Sequence, residues 1–152
     1  MAWSGSGLFC TPFIDAFDAT QLAIDLSLTT NKWALFTNSV TPDFDAAIAN
    51  AAYAAGVWNA NEVSGTGYSA GGTAVASPTL TSASGIVTFD QADTSWASST
   101  ITNARGALLY ANALTPKAAI CAVNFGADYS TSNGTFLVTW SASGVFTLDL
   151  VP

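Results

Sequence analysis

The chain is poor in the side chains that most chemistry requires. It has no histidine, so the commonest general base and the commonest zinc ligand are both missing. Acid–base candidates therefore reduce to carboxylates. Asp90 and Asp93 lie just before Trp96, and two carboxylates beside an aromatic could serve sugar chemistry. Aspartates in a turn more often bond backbone, and no further acid–base partner stands near this pair. Asp128, Ser130, Ser132 and Gly134 superficially resemble a calcium loop. Such a loop needs Gly at its sixth position and Glu at its twelfth, where this chain has Asn133 and Thr139. A hairpin loop ending in Asn133-Gly134 is the better reading. Cys10 and Cys121 lie far apart and match no metal spacing. One disulfide is open to them, but two buried free thiols are preferred, because nothing marks the chain as secreted. The residues thus assign no catalytic group, no metal and no cofactor, and the chain does not read as an enzyme.

The densest local signal is Asn61–Gly72, which holds four of the twelve glycines. Glycine at this density excludes a helix. Gly65, Gly67, Gly71 and Gly72 could suggest a phosphate cradle, but the preceding strand, following helix and lysine of that motif are absent. The segment reads instead as a shaped turn with Tyr68 as its anchor. Glu62 within it and Arg105 beyond it are rare charges on a sparsely charged chain. They could pair and pin the loop to the Arg105–Tyr110 segment, or both could be solvated. Five tryptophans are more than the core of 152 residues is expected to absorb. Three are expected inside and two at contacts between subunits, where Trp is enriched. Trp3, Trp58 and Trp96 join Glu62, Tyr68 and Arg105 as candidate structural or interaction residues. An aromatic platform for carbohydrate is the competing use.

Only 9% of residues are charged, against about 25% in an ordinary soluble domain. Ser, Thr, Asn and Gly supply the polarity, which suits a protein packed against neighbours rather than a free monomer. Ten carboxylates stand against Lys32, Arg105 and Lys117. Three scattered cations cannot track phosphates, so neither nucleic acid nor an anionic membrane is an expected partner. No basic, apolar leader opens the sequence, and no run of about 18 apolar residues predicts a membrane span.

The length predicts one domain, residues 1–152, with 1–12 as a flexible or docking arm that carries Trp3. Phe13, Ile14 and Phe17 share one face of a short helix, with Asp18 and Gln21 as a capping pair. Leu22–Leu28 alternates like a half-buried strand and pairs with Lys32–Thr37 as a hairpin. The alanines of Thr41–Ala55 predict a helix of two or three turns with Phe44 and Ile48 inward. Thr73–Thr81 is extended but interrupted by Pro78, and Ser84-Gly85 turns into a strand at Ile86–Phe89. Asp90–Thr94 is a polar loop. Arg105–Ala111 is a strand, Asn112–Pro116 a turn, and Lys117–Gly126 an apolar run buried on both faces. Thr135–Trp140 and Val145–Leu150 close the chain as a hairpin. Together these predict about eight strands in an antiparallel, jelly-roll-like β-sandwich, with one or two short N-terminal helices.

Lys32–Leu35, Asn61–Tyr68 with Gly71-Gly72, Phe89–Trp96, Arg105–Tyr110, Phe125-Gly126 and Asn133–Phe136 occur in this order. This ordered set, spanning about residues 22–150, resembles a group of small structural proteins of tailed bacteriophage virions. The resemblance implies a virion component, first of all a capsid decoration or cement subunit. A tail-tube, tail-tip or baseplate subunit belongs to the same class. A receptor- or glycan-binding domain of a head or tail fibre is the alternative. It also implies other virion proteins as partners (the major capsid protein or tail subunits), a homo-oligomer, and location in the virion after assembly in the host cytoplasm. It brings no catalytic residues.

Overall fold

A computed structural model describes residues 3–18 and 21–151. The chain forms β1 (Gly7–Leu8), α1 (Cys10–Phe17), β2 (Lys32–Phe36), a 3₁₀ turn (Gly56–Asn59), β3 (Thr73–Ala74) and β4 (Thr79–Ala83). It continues through β5 (Ile86–Asp90), β6 (Thr94–Ser99), β7 (Ala104–Tyr110), β8 (Ala119–Tyr129), β9 (Gly134–Val138) and β10 (Phe146–Asp149). A five-stranded sheet runs β1-β8-β7-β2-β3, and every pairing in it is antiparallel. A three-stranded sheet β10-β5-β4 and a two-stranded sheet β6-β9 complete a mainly β, sandwich-like architecture.

The large sheet is apolar on both sides, because side chains alternate faces along a strand. Trp33, Leu35, Ala107, Leu109 and Cys121 point to one side, where Phe89, Trp96 and Phe136 of the smaller sheets cover them. Ala34, Phe36, Leu108, Tyr110 and Ala122 point to the other, under Trp3, Phe9, Val40 and Trp58. The second layer is therefore built of the N-terminal arm and the loops of residues 40–60 rather than of a sheet. Burial on both faces explains the continuous apolar runs of β2, β7 and β8. Pro78 separates β3 from β4, and Ser84-Gly85, both at positive φ, makes the tight turn into β5.

Four expected elements differ. Leu22–Leu28 forms no strand. Ala23 sits at φ 54°, and the Asp25 carboxylate accepts from the Ser27 amide at 2.8 Å and its hydroxyl at 2.6 Å. That local turn competes with a ladder. Both edges of β2 are taken by β3 and β7. The alternation survives as burial only, with Leu22, Ile24 and Leu26 half-buried and Ala23, Asp25 and Ser27 exposed. Thr41–Ala55 is not helical either. Its backbone bonds outward: the Ala119 amide donates to the Ala51 carbonyl and the Tyr53 amide to the Lys117 carbonyl, each at 2.9 Å. Ladder-like bonds to β8 and its lead-in override alanine propensity.

The closing hairpin is replaced by two separate pairings, β9 with β6 and β10 with β5. The chain crosses between them at Trp140, whose ring lies 4.6 Å from that of Trp33. Finally, α1 starts at Cys10, so Pro12 falls in its first turn, where a missing N–H is tolerated. Asp18 caps its C-terminal end rather than opening it. The helix start is anchored through the Cys10 amide to the Phe44 carbonyl at 2.9 Å and the Thr11 hydroxyl to the Ala46 carbonyl at 2.7 Å. Its second half is tied to the following segment by the Leu22 amide on the Asp15 carboxylate and the Gln21 side-chain amide on the Ala16 carbonyl. Its supposed inner face is outward: Ile14 is 66% and Phe17 90% exposed.

Candidate functional site

The Asn61–Gly72 loop is held by a cluster of tyrosines around one carboxylate. Glu62 continues the sheet by bridging to Phe36, which aims its side chain beneath the loop. Its Oε1 accepts from the Tyr68 hydroxyl at 2.6 Å and the Gly71 amide at 2.7 Å, and its Oε2 from the Tyr53 hydroxyl at 2.7 Å. The Tyr68 oxygen in turn accepts from the Leu35 amide at 2.9 Å. Tyr110 donates to the Gly71 carbonyl at 2.8 Å and stacks on Tyr53 with ring centroids 4.5 Å apart. The Lys117 ammonium lies 5.5 Å from the Tyr53 ring centre, within cation–π range. Two of the four tyrosines thus meet at Glu62, from the loop itself and from the segment before the 3₁₀ turn, and Tyr110 of β7 joins them through Gly71 and the Tyr53 ring.

The double-glycine bend is a steric requirement. Gly72 has φ 70°, and a Cβ there would overlap the Trp33 carbonyl oxygen. Gly65 has φ 145°, and a Cβ there would overlap the Thr100 carbonyl oxygen. The loop therefore lies flat against β2 and the β6–β7 connection.

Burial, followed by the bond to Glu62, pushes the Tyr53 hydroxyl up to about 12. The same two causes push Tyr68 well above the usual phenol range. Tyr110 is raised chiefly by burial, with the Tyr53 and Glu62 charges adding to it. All three hydroxyls stay protonated at neutral pH and act as donors. The cluster can clamp the loop.

The six sequence candidates fall into separate places. Tyr68 and Glu62 meet, as described. Arg105 does not reach Glu62. Its Nη1 pairs with Asp128 at 3.3 Å at the exposed end of β8, beside the start of β7. Glu62 is satisfied without a cation, because three donors already bond its two oxygens. Trp3 and Trp58 lie together in the second layer with centroids 5.6 Å apart, and Trp58 also meets Phe36 at 5.0 Å. Trp96 packs between Tyr68 and Phe136, each 5.9 Å away, in the other layer. Trp3, Trp33, Trp58 and Trp96 are buried within the chain and Trp140 is half-buried. The expected division into three core and two interfacial tryptophans is corrected accordingly. The two-layered core has room for four, because both faces of the large sheet are covered.

The remaining chemical candidates resolve into backbone roles. Asp90 accepts from the Gln91 amide at 2.8 Å and Asp93 from the Trp140 amide at 3.0 Å. The Asp128–Gly134 loop shrinks to residues 130–133, because β8 runs to Tyr129. Cys10 is exposed and Cys121 buried, both as free thiols, so neither a disulfide nor two buried thiols is found. Among the described residues, no three His, Cys, Asp or Glu side chains converge on a metal-sized site. An open groove of about 450 Å³ runs beside β9, with Phe125, Tyr129, Leu137 and Val138 among its walls and Ser130, Thr131, Thr135 and Thr139 along its rim.

Tyr53 and Tyr110 were missed by the sequence reading. So was Gln91, a buried amide that accepts from Trp33 Nε1 at 2.9 Å and donates to Thr94 Oγ1 at 2.8 Å. No short spacing links these residues. The available signal was only that a lone Glu in an apolar setting requires donors, and that tyrosine and tryptophan are the donors with an apolar body. Comparison with family models, with characterised proteins and with solved structures returns no match.

Proposed function

We propose that this chain is a structural subunit of a tailed-phage virion, first of all a capsid decoration or cement protein. The observation that carries the reading is its surface. Apolar side chains stand out of a sparsely charged exterior: Phe17 is 90% exposed, Leu150 69%, Ile14 66% and Leu137 56%. Strands β4 and β9 end their sheets with no charged residue in either, although free monomers usually guard such edges with charge. Such a surface suits contacts with other virion proteins and with further copies of the chain. The hydrogen bonding of the loop supports the same view, since its carboxylate and tyrosines are spent on rigidity. In this role the protein adds buried area across capsomer boundaries and resists the pressure of packaged DNA. A tail-tube, tail-tip or baseplate position would use the same surface.

The groove beside β9 favours one second reading, a receptor- or glycan-binding domain, because it sets Phe125 and Tyr129 near four hydroxyl side chains. Particles made with and without the protein separate the two. The cement reading expects heads that lose DNA at lower temperature and still attach to host cells. Heads of unchanged stability with lost attachment would overturn it in favour of the binding module. Among the described residues, no helix is long and apolar enough to cross a membrane.

A further inference from the structure

We propose that the pocket holding Trp3 is an exchangeable docking site, filled within one chain by its own N-terminal arm and between copies by the arm of a neighbour. Trp3 is 3% exposed, although the arm around it is Ser and Gly. Its indole Nε1 donates to the Thr37 carbonyl at 3.0 Å and its backbone amide to Asn38 Oδ1 at 3.2 Å. The ring meets Trp58 edge-on and lies over Gly106. A Cβ at Gly106 would stand 2.8 Å from Trp3 Cη2 and 2.5 Å from the Val123 carbonyl oxygen. Gly106 is not among the positive-φ glycines, so its backbone does not require glycine there. The missing side chain makes room for the indole and for the close approach of β8. The site is thus a built slot with a visible occupant.

The rest of the arm makes fewer contacts, with Leu8 half-buried against the core, Gly7 beside the Phe44 ring and the Asn124 side chain donating to the Trp3 carbonyl at 3.4 Å. Gly5 has nothing within 4 Å of its Cβ position. Strand β1 pairs through Gly7 and Leu8 alone, supported by the Asn124 amide donating to the Ser6 hydroxyl at 2.8 Å. Phe9, by contrast, is fully buried, and its amide donates to the Ile120 carbonyl at 3.0 Å. Residues 3–8 therefore form a unit that pivots at Phe9. Six residues reach about 20 Å when extended, which limits a neighbour's slot to that distance from the pivot. Contacts made within a chain and between chains are identical, so the balance is set by the local concentration of neighbours. Crowding copies on an assembly shifts it towards exchange. This inference stands independently of the virion reading.

The test uses full-length Trp3→Ala and a synthetic peptide of residues 1–8. The variant is expected to melt roughly 10 °C below the parent, from the cavity left by the indole. The peptide should restore that loss in a saturable way, and a peptide carrying the same Trp3→Ala change should not. If the variant does not fold alone, the peptide present during refolding should rescue it. Parent protein refolded at millimolar concentration should show dimers or larger species by sedimentation velocity, and Trp3→Ala should not. Failure of the peptide to bind or rescue at millimolar concentration, equal action of the two peptides, or a parent protein that stays monomeric would each overturn the proposal.

Discussion

Glu62→Ala is the sharpest probe of the loop. The substitution removes the acceptor of three donors at once. Tyr68 and Gly71 are buried, so their donors find no water in place of the carboxylate. A buried donor left without a partner costs about 1–3 kcal/mol. Tyr53 is only half-buried and can bond to solvent, so it adds little. The expected loss is about 4 kcal/mol, a large part of the roughly 5–15 kcal/mol that holds a domain folded. For a chain of 152 residues at about 2–4 °C per kcal/mol, Tm should fall by roughly 8–16 °C. Glu62→Gln keeps one carbonyl acceptor and should lose about half as much. Arg105→Ala is the control, because its pair with Asp128 is partly exposed and such pairs contribute about 0–1 kcal/mol. Urea titrations followed by tryptophan fluorescence, with thermal melts by circular dichroism, measure all three. A Glu62→Ala variant within about 1 kcal/mol of the parent, or one more stable than Arg105→Ala, would refute the idea that the carboxylate holds the loop.

Three other outcomes follow from the same geometry. Tyr53, Tyr68 and Tyr110 hold their protons more tightly folded than unfolded, so their contribution is complete below about pH 10 and is lost as pH rises from there towards 12. Urea midpoints at stepped alkaline pH should fall across that window, with phenolate absorbance rising together with unfolding; independent phenolate formation in a still-folded chain would contradict the clamp. Gly72→Ala forces a side chain onto the Trp33 carbonyl at positive φ and should cost at least about 2 kcal/mol, seen as a lost or strongly shifted melt. A thiol reagent should label Cys10 in the native protein, slowly because its bond to Asp45 raises the thiol, and should reach Cys121 only after unfolding. Native labelling of both thiols would show that β8 opens readily.

Legibility in the sequence followed the range of the interaction. The Ser84-Gly85 turn, the break at Pro78, the β7 strand and the two-faced burial of the first residues of β8, Ala119–Ala122, were readable, because each depends on dihedral preference or on the period of apolar residues. The alternation of Leu22–Leu28 predicted the half-burial of Leu22, Ile24 and Leu26 though not the exposure of Leu28, and no ladder forms. The alanines of Thr41–Ala55 misled for the opposite reason. Their helix preference is worth tenths of a kcal/mol per residue and yields to backbone bonds with Lys117 and Ala119. In the site, the glycines and the Tyr68 anchor were legible. Partnership was not, since Tyr53, Tyr68 and Tyr110 are brought together only by the stacking of β7 and two loops.

Composition and local pattern therefore establish a mainly β chain, low in charge, with a rigid glycine bend at Gly71-Gly72 and no histidine chemistry. Which strand pairs with which, that Glu62 takes tyrosines rather than Arg105, and that Trp3 is buried by its own chain were decided by packing. The physical reason is that strand partners, carboxylate donors and aromatic slots are chosen among distant segments that compete for one place. That competition is settled by the summed burial and hydrogen bonding of the whole, which no short window of sequence contains.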